Sequence, residues 1–326
     1  MDIYFRPEYG KLCENIEGGK SECYEYKSSF GCVRSMFIKR PIPQLIDGIQ
    51  YFDLITPYGY GGPLVLTAQK ECRQKLCQDF AIVFAQYCLE NHIISEFVRF
   101  HPIENNVLDF SDTYNAVCIQ KTLGTNLVAY NDPIQAEFSK HCQKNVRRAL
   151  QAGITYRIKE APNQIDSFLN IYYSTMDRNR ASEFYYFDKA YFDEMLSLLK
   201  GNLLFVEAMY DEKIIAASLC FISDGLIHIH LSGTLSEYLS LSPSYVLRYA
   251  IAVWGKTNGY RMIHHGGGTS NSSDNSLFRF KKQFAQNTEF DYYVGKKIWN
   301  EEIYVMLCRD IVVSQAVEFF PAYRKR

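Results

Sequence analysis

The sequence predicts an α+β protein in which mixed, mostly antiparallel sheets are flanked by helices. Three consecutive strands are expected in the second half of the chain, at residues 203–209, 214–222 and 226–232. The segments between them, residues 210–213 and 223–225, have the composition of hairpin turns. Helix signals before and after these strands complete the pattern.

Composition places the chain among ordinary globular proteins. It has 326 residues, of which 47% are hydrophobic and 22% charged, so it is long enough for two domains. A net charge of -1 and an isoelectric point near 6.7 exclude a chain-wide nucleic-acid surface, and we expect no DNA partner. A local basic patch stays compatible with these values.

The cysteines and the apolar runs indicate the cellular compartment in which the protein is expected. Ten cysteines are scattered without a C-x-x-C pair, and Cys88 and Cys220 lie inside apolar runs. This usage is typical of reduced, buried thiols in a cytosolic protein. The first residues do not have the pattern of a secretory signal, and no apolar run is long enough to span a bilayer. We therefore expect a cytoplasmic protein with no integral membrane segment.

The first half of the chain has the pattern of a strand, a glycine-rich turn, a helix and two strands, expected at residues 49–55, 56–63, 67–89, 94–100 and 114–120. Thr67 is the predicted helix cap. The turn alternates tyrosine with glycine and contains Tyr58 and Tyr60. These two side chains are either the wall of a binding cleft or aromatics packed against a turn.

A helix is expected over residues 133–153, because Asp132-Pro133 is a helix-start signal and Gly153 a helix-end signal. At about 100° per residue, Lys144, Arg147 and Arg148 fall in one sector of this helix, opposite an apolar face. Such a face is either solvated or an anion-binding surface.

The second half continues with a strand at residues 154–159 and helices that begin after Asn163 and Asp188. After the three strands comes a helix with Ser242 at its cap and Pro243 at its first position. A strand, a helix and a strand are then expected at residues 261–265, 276–284 and 290–294. The predicted order of this half is βααβββαβαβ.

One stretch of this half carries most of the chemistry. Its strand ends in His264 and His265, and the glycines Gly266, Gly267 and Gly268 follow. After a polar run comes a helix whose cations alternate with aromatics: Phe278, Arg279, Phe280, Lys281, Lys282 and Phe284. Glycine is used where backbone must bend unusually or approach another group closely. This pattern predicts the floor of an active site in a transferase.

The order of these elements resembles that of the Fem-type peptidyltransferases and other acyltransferases of the GNAT fold. The resemblance covers residues 50–305 approximately and rests on the segments Pro57-Tyr58-Gly59-Tyr60-Gly61-Gly62-Pro63, Lys144-Asn145-Val146-Arg147-Arg148-Ala149-Leu150 with Gly153, Thr175-Met176 with Arg178, His230-Leu231-Ser232-Gly233-Thr234, Ser242-Pro243-Ser244-Tyr245 and Phe280-Lys281-Lys282-Gln283-Phe284. It implies tandem GNAT-like domains: a degenerate N-terminal domain at residues 1–153 and a C-terminal domain with the active site at residues 154–326.

The resemblance implies transfer of an acyl or aminoacyl group from an activated carrier to an amine, for example on a peptidoglycan-type cell-envelope precursor. Lys281 matches the lysine of the family's Phe-Lys-x-x-Phe pattern, which implies stabilisation of the carbonyl oxyanion or of a carrier phosphate. Its neighbour Lys282 is the internal control. His264 and His265 point to opposite faces if the strand persists, and one is a candidate general base. A structural histidine and substrate-assisted deprotonation are the alternatives.

The donor and the binding residues follow from the same resemblance. Residues 234–242 contain no glycine, unlike the coenzyme A loop of ordinary GNAT enzymes, which favours aminoacyl-tRNA over acyl-CoA as donor. No bound cofactor and no metal are expected. Expected binding residues for phosphates and for a small-molecule or nucleotide-linked acceptor are Tyr58, Tyr60, Lys144, Arg147, Arg148, Arg178, Ser242, Ser244 and Tyr245, with Gly266, Gly267 and Gly268 making room for ligand.

Three functions remain open at this stage. The first is an acyl- or aminoacyltransferase, with charged tRNA as a partner in the aminoacyl case. The second is an acyl-CoA-dependent N-acetyltransferase that acts on a small-molecule or sugar amine. The third is a non-catalytic ligand-binding protein of the same fold.

Overall fold

The computed structural model describes residues 1–270, 274–309 and 319–325. The helices in these ranges are α1 (Pro7–Leu12), α2 (Glu14–Glu17), α3 (Arg73–Glu90), α4 (Val107–Phe110), α5 (Pro133–Glu137), α6 (Lys140–Gln151), α7 (Asp166–Arg178), α8 (Lys189–Leu198), α9 (Pro243–Thr257), α10 (Ser276–Lys282) and α11 (Glu301–Leu307). The strands are β1 (Lys20–Ser28), β2 (Gly31–Pro41), β3 (Phe52–Ile55), β4 (Leu64–Ala68), β5 (Ile93–Arg99), β6 (Asn115–Asn126), β7 (Thr155–Glu160), β8 (Leu203–Tyr210), β9 (Lys213–Ser223), β10 (Leu226–Thr234), β11 (Met262–Gly266) and β12 (Glu289–Ile298).

The chain forms two compact units, each discontinuous in sequence. Unit one consists of Met1–Ile3 and Gln120–Phe290, and unit two of Tyr4–Ile119 and Asp291–Arg326. Residue 153 therefore lies inside unit one. The expected boundary between sequence domains after residue 153 stays a prediction.

Unit one contains the strand order β6-β11-β10-β9-β8-β7, in which β10 and β11 are the parallel pair and the other pairs are antiparallel. Helix α9 lays an apolar side on this sheet, with Val246, Leu247, Ala250 and Ile251 at most 1% exposed. These side chains recur at helical spacing, so one face of α9 is removed from water and stabilises the unit by hydrophobic burial.

Unit two repeats this arrangement with different strands. Its order is β1-β2-β3-β5-β12, with β4 also paired to β2, and β3 with β5 is the parallel pair. Helix α3 buries Leu76, Phe80 and Phe84 completely against the unit's core.

In each unit, one end member of the strand order given above comes from the other half of the sequence. β6 follows β5 along the chain but pairs with β11, through residues Leu123–Asn126. β12 follows β11 but pairs with β5, through residues Val294–Ile298. Such pairings join residues more than 130 positions apart, so no local pattern in the sequence predicts them.

Most of the predicted elements are present, and the predicted fold class is confirmed: both units have mixed, mostly antiparallel sheets with helices packed on them. The three consecutive strands and the helix starting at Ser276 lie where they were expected. No helix in the described part of the chain is both long and apolar enough to cross a membrane.

Two helix predictions were wrong in detail. Thr67 does not cap a helix but lies in β4, and α3 begins six residues later, at Arg73. The helix expected over residues 133–153 is interrupted, because Phe138 has an extended backbone and Ser139 starts a second helix by accepting a hydrogen bond from the Cys142 amide. Asp132 caps the first of the two helices, as predicted.

Candidate active site

In unit one, the parallel strands β10 and β11 separate before either of them ends. In the described part of the chain they pair only through residues 226–228 and 262–264, after which β10 continues to Thr234 paired there with β9 alone. On the other side, His265 and Gly266 continue β11 beyond the last pair. We call this opening the fork, defined by residues 229–234 of β10 and 265–266 of β11. Backbone groups that no longer pair across a fork are accessible to other partners.

The glycines after β11 are required by the protein's own packing. Gly266 has φ of +72°, where residues with a side chain are strained. A Cβ on Gly267 would lie 2.9 Å from Gln120 Nε2 and 3.0 Å from the Lys121 carbonyl oxygen. At Gly268 a Cβ would lie 2.7 Å from Asn275 Oδ1, the atom that caps α10 by accepting a hydrogen bond from the Phe278 amide. The role of these glycines in making room for a ligand remains a prediction.

Lys281 and Lys282 have different surroundings although they are neighbours on α10. Lys281 Nζ donates a hydrogen bond of 2.7 Å to the Gly267 carbonyl oxygen, and no described carboxylate forms an ion pair with it. Lys282 forms an ion pair with Glu289. Burial, and then the nearby charge of Arg248, lower the pKa of Lys281 to about 7. Of the two neighbouring lysines, Lys281 is therefore the one whose surroundings lower its pKa.

Arg248 is a site residue that the sequence analysis missed. It lies on the buried side of α9 and is 7% exposed. Its Nη1 lies 3.5 Å from Ser218 Oγ on β9 and 3.3 Å from Ser232 Oγ on β10, so the guanidinium reaches one arm of the fork. Burial lowers its pKa to about 10. The signal in the sequence is an arginine amid the apolar residues of this helix.

His265 lies on the other arm of the fork and is 2% exposed. The Thr125 hydroxyl donates to the Phe284 carbonyl oxygen at 2.6 Å, so it can only accept from His265 Nε2, which lies 2.8 Å away. This assigns the proton of the neutral ring to Nε2 and leaves the lone pair on Nδ1. Nδ1 is buried without a hydrogen-bond partner in the described residues. Burial, then Arg248 and Lys281, hold the pKa of His265 well below its usual value.

His264 makes contacts on the opposite face, as alternation along a strand requires. Its Nδ1 lies 3.3 Å from Nδ1 of His228, and His228 Nε2 lies 2.8 Å from Asp2 Oδ2. All three side chains are at most 2% exposed. The chain of groups Asp2–His228–His264 orients His264 in the core and keeps it apart from the contacts of Lys281.

The predicted binding residues at the start of α9 and on α7 mainly form contacts between elements of unit one. Arg178 donates to the Thr234 carbonyl oxygen at 2.7 Å. Ser242 is the N-cap of α9 but makes no side-chain capping hydrogen bond, and Ser244 is partly buried. Tyr245 donates to Gln283 Oε1 at 3.3 Å, which joins α9 to the residue after α10. Binding of substrate by these residues stays a prediction.

The other predicted residues lie elsewhere. Lys144, Arg147 and Arg148 are exposed on α6, opposite its buried face. Tyr58 and Tyr60 belong to unit two, where the Tyr60 ring packs edge-on against Tyr4 and Tyr292. The geometry of unit one brings together Lys281, His265 and Gly267 of the predicted set and adds Arg248 and Thr125.

Comparison with known proteins bears on this arrangement. Residues 136–282 match the family model described as "Acetyltransferase (GNAT) domain", a span that contains Arg248, His265 and Lys281. A solved structure of FemX superimposes with a TM-score of 0.73 at 10% identity, over 94% of each chain. The chain has the Fem-type GNAT fold. The predicted resemblance is thereby confirmed for the fold.

Two further solved structures are similar to this GNAT-fold chain. One is the C-terminal domain of a putative lysylphosphatidylglycerol synthetase from Agrobacterium fabrum, with a TM-score of 0.57 at 14% identity over 94% of this chain and 92% of that one. The other is L-PGS from Bacillus licheniformis, with a TM-score of 0.55 at 14% identity over 91% and 94%. No curated protein matches the sequence significantly.

Proposed function

We propose that this protein is an acyltransferase that moves an activated acyl or aminoacyl group to an amine, with Lys281 as the group that stabilises the developing oxyanion. The observation that carries the proposal is the position of Lys281: its ammonium is held on the Gly267 carbonyl beside Arg248 and His265, without a carboxylate partner in the described residues. The matched GNAT acetyltransferase domain and the FemX-like fold support the same reaction class.

The chemistry begins when the nitrogen of a neutral amine attacks the carbonyl carbon of the donor. A C–N bond forms and the carbonyl electron pair moves to the oxygen, which gains negative charge. One of the three N–H groups of Lys281 is used by Gly267, and the other two, which no described residue accepts, are available to this oxygen. Preorganised donors of this kind contribute about 10²–10³ in rate.

Proton transfer completes the reaction. We assign the proton acceptor to His265 Nδ1, which has no hydrogen-bond partner among the described residues, because the negative charge of the new oxyanion offsets the cations Arg248 and Lys281 that lower the pKa of this ring. Collapse of the tetrahedral intermediate re-forms the carbonyl and breaks the bond to the ester oxygen or thioester sulfur of the donor. The imidazolium then returns the proton to this leaving group, so that atoms and charges balance.

The loop between β10 and α9 supports an aminoacyl ester as donor over coenzyme A. The amides of Leu235, Tyr238 and Ser242 donate to the carbonyl oxygens of Ile215, Leu235 and Leu239. They are therefore engaged within the protein and are poor candidates for binding a pyrophosphate. We propose aminoacyl-tRNA as the donor and a small-molecule or nucleotide-linked amine, such as a cell-envelope precursor in the cytoplasm, as the acceptor.

An acyl-CoA-dependent N-acetyltransferase is the second candidate, favoured by the name of the matched family model. Thermal stabilisation by acetyl-CoA, set against stabilisation by charged tRNA, separates the two donors. Stabilisation by a ligand with no turnover of either donor would identify a non-catalytic binding protein instead.

The test of the reaction compares Lys281→Ala with Lys282→Ala. We expect a loss of about 10²–10³ in turnover for the first and a change of less than threefold for the second, because Lys282 is engaged by Glu289. Normal turnover by folded Lys281→Ala would refute the proposal.

A further inference from the structure

Arg248 is a buried cation that has no counter-ion among the described residues. Its polar contacts among the described residues are the uncharged hydroxyls of Ser218 and Ser232, and none of these residues accepts a hydrogen bond from its Nε. Placing a charge in the interior without a partner is strongly unfavourable, and the unfavourable energy is offset when an anion binds beside it. The unpartnered Nε–H is therefore a donor available to a ligand.

The guanidinium lies at the fork and not in the general core. Ser232 is on the β10 arm, and His265, on the β11 arm, is close enough for Arg248 to change its ionisation. The Arg248 charge also acts on Lys281, the proposed oxyanion donor. A carbonyl group bound at Lys281 is thus within electrostatic reach of Arg248.

We propose that Arg248 binds a carboxylate of the substrate in the fork, so that the transferase acts on an amino-acid-like molecule with a free carboxylate near the reacting group. This inference rests on the proposed function only in taking the fork as the place where substrate binds. Arg248 itself, in this role, is a binding residue, and the transferred group or the acceptor amine supplies the carboxylate.

The number of charges and the geometry favour a carboxylate. The Nε and Nη edge of a guanidinium matches the two oxygens of a planar carboxylate with parallel hydrogen bonds. His265 is neutral and offers an acceptor at Nδ1, so Arg248 is the one group of the three that is fully cationic near pH 7. One negative charge balances it. The Nδ1 acceptor suits an N–H of the same molecule, which completes the recognition of an amino acid.

The test is thermal stabilisation of the full chain by small probes at equal ionic strength. Acetate, glycine and succinate are each compared with acetamide, glycinamide and succinamide, with sodium chloride as the salt control. We expect the carboxylates to stabilise the wild type and the amides not to do so. Arg248→Met should abolish this difference, while the exposed Arg261→Met should keep it. Arg248→Met should also raise the melting temperature without ligand, because it removes the unpaired charge.

A second variant keeps the test valid if Arg248→Met does not fold. Arg248→Lys retains a charge but loses the Nε donor, and we expect it to bind the carboxylate probes at least about tenfold more weakly. Carboxylate-specific stabilisation that persists in Arg248→Met or is undiminished in Arg248→Lys would overturn the inference, as would its absence from the wild type.

Kinetics identify the source of the carboxylate. Glycine against glycinamide as acceptor, and a succinyl against a butyryl donor, are compared in wild type and Arg248→Met. We expect KM to rise at least about tenfold for the carboxylate member of one pair only. If no donor is turned over but the Arg248-dependent stabilisation is present, the proposed function fails and the carboxylate site stands. If Lys281→Ala abolishes transfer and no carboxylate effect exists, the carboxylate site alone fails.

Discussion

Lys281 Nζ donates a hydrogen bond of 2.7 Å to the carbonyl oxygen of Gly267, which joins helix α10 to the segment that follows strand β11. This bond fixes where the ammonium lies relative to His265 and Arg248. It also explains why the lysine one position further along the helix has a different role, since about 100° of helix rotation directs Lys282 to Glu289.

The first prediction concerns the pH dependence of turnover. The pKa of Lys281 is lowered to about 7, so the ammonium required for oxyanion stabilisation is lost as pH rises through this value. We expect kcat of the wild type to have a descending limb on the alkaline side. In Lys281→Arg the group stays charged, and the limb should move to higher pH even if turnover is lower. An unchanged limb in Lys281→Arg would assign it to another group.

The second prediction concerns stability and the same side chain. The unfolded chain binds a proton at Lys281 up to about pH 10.5 and the folded protein only up to about pH 7, so the free energy of unfolding should rise with pH between these values. Lys281→Met removes this contribution. Denaturant unfolding at pH 6 and pH 10 measures the difference in the free energy of unfolding between Lys281→Met and the wild type. We expect this difference to favour the variant more at pH 6 than at pH 10. Parallel pH profiles for the two proteins would contradict the lowered pKa.

The third prediction concerns Glu96 in unit two. Burial raises its pKa to about 7, although Tyr114 and Trp299 donate hydrogen bonds to it. The folded protein thus retains a proton that the unfolded chain releases above pH 4.5, and stability should fall as pH rises from about 4.5 to 7. Glu96→Gln keeps a hydrogen-bond acceptor without the charge. At pH 8 we expect the free energy of unfolding of Glu96→Gln to be higher than that of the wild type by on the order of 1–3 kcal/mol. At pH 5 the difference between the two proteins should be smaller. Wild-type stability that is flat across this range would refute the assignment.

The fourth prediction concerns Thr125 as a positioning residue. Its hydroxyl joins His265 to the Phe284 carbonyl, so Thr125→Val leaves two buried polar atoms unsatisfied. Each such atom costs about 1–3 kcal/mol, and the imidazole loses the bond that fixes its tautomer. We expect kcat to fall at least about tenfold with little change in KM, and Thr125→Ser to restore it. An undiminished kcat in Thr125→Val would contradict this role.

The fifth prediction uses two glycines. Gly267→Ala places a Cβ 3.0 Å from the Lys121 carbonyl oxygen, so the segment must shift and carry with it the acceptor of the Lys281 bond. Gly201→Ala is the matched control, because a Cβ there has nothing within 4 Å. Turnover should fall in the first variant and not in the second. Full activity of Gly267→Ala would show that the Lys281 position does not depend on this loop.

Local patterns were sufficient to predict one part of the site. Glycines after a strand and a cationic, aromatic helix lie within 25 residues of each other, so the local pattern placed the glycines and the helix cations in one candidate site, and the family resemblance selected Lys281 among these cations. The amphipathic pattern of α6 was likewise visible, and Cys142, Val146 and Ala149 are buried as it requires. The break at Phe138 was missed because the cap signal of Ser139 was overlooked within a continuous helical pattern.

The rest of the site depends on contacts between distant residues. Thr125 reaches His265 across 140 positions, and Asp2 reaches His228 across 226. In the sequence, Arg248 is an arginine between apolar residues of a helix, which does not reveal whether its partner is a carboxylate, a hydroxyl or solvent. Pairings of this range are set by topology, and a single sequence contains no periodic signal for them.

Unit one draws its residues from separate stretches of the chain. Cutting the chain between residues 153 and 154 would therefore not yield an intact unit one. A fragment expressed from residue 154 onward would leave behind Asp2, Thr125 and helix α6. His228 would lose its contact with Asp2, His265 would lose its contact with Thr125, and β11 would be left with an uncovered edge. Engineering of this protein should therefore treat the polypeptide as indivisible.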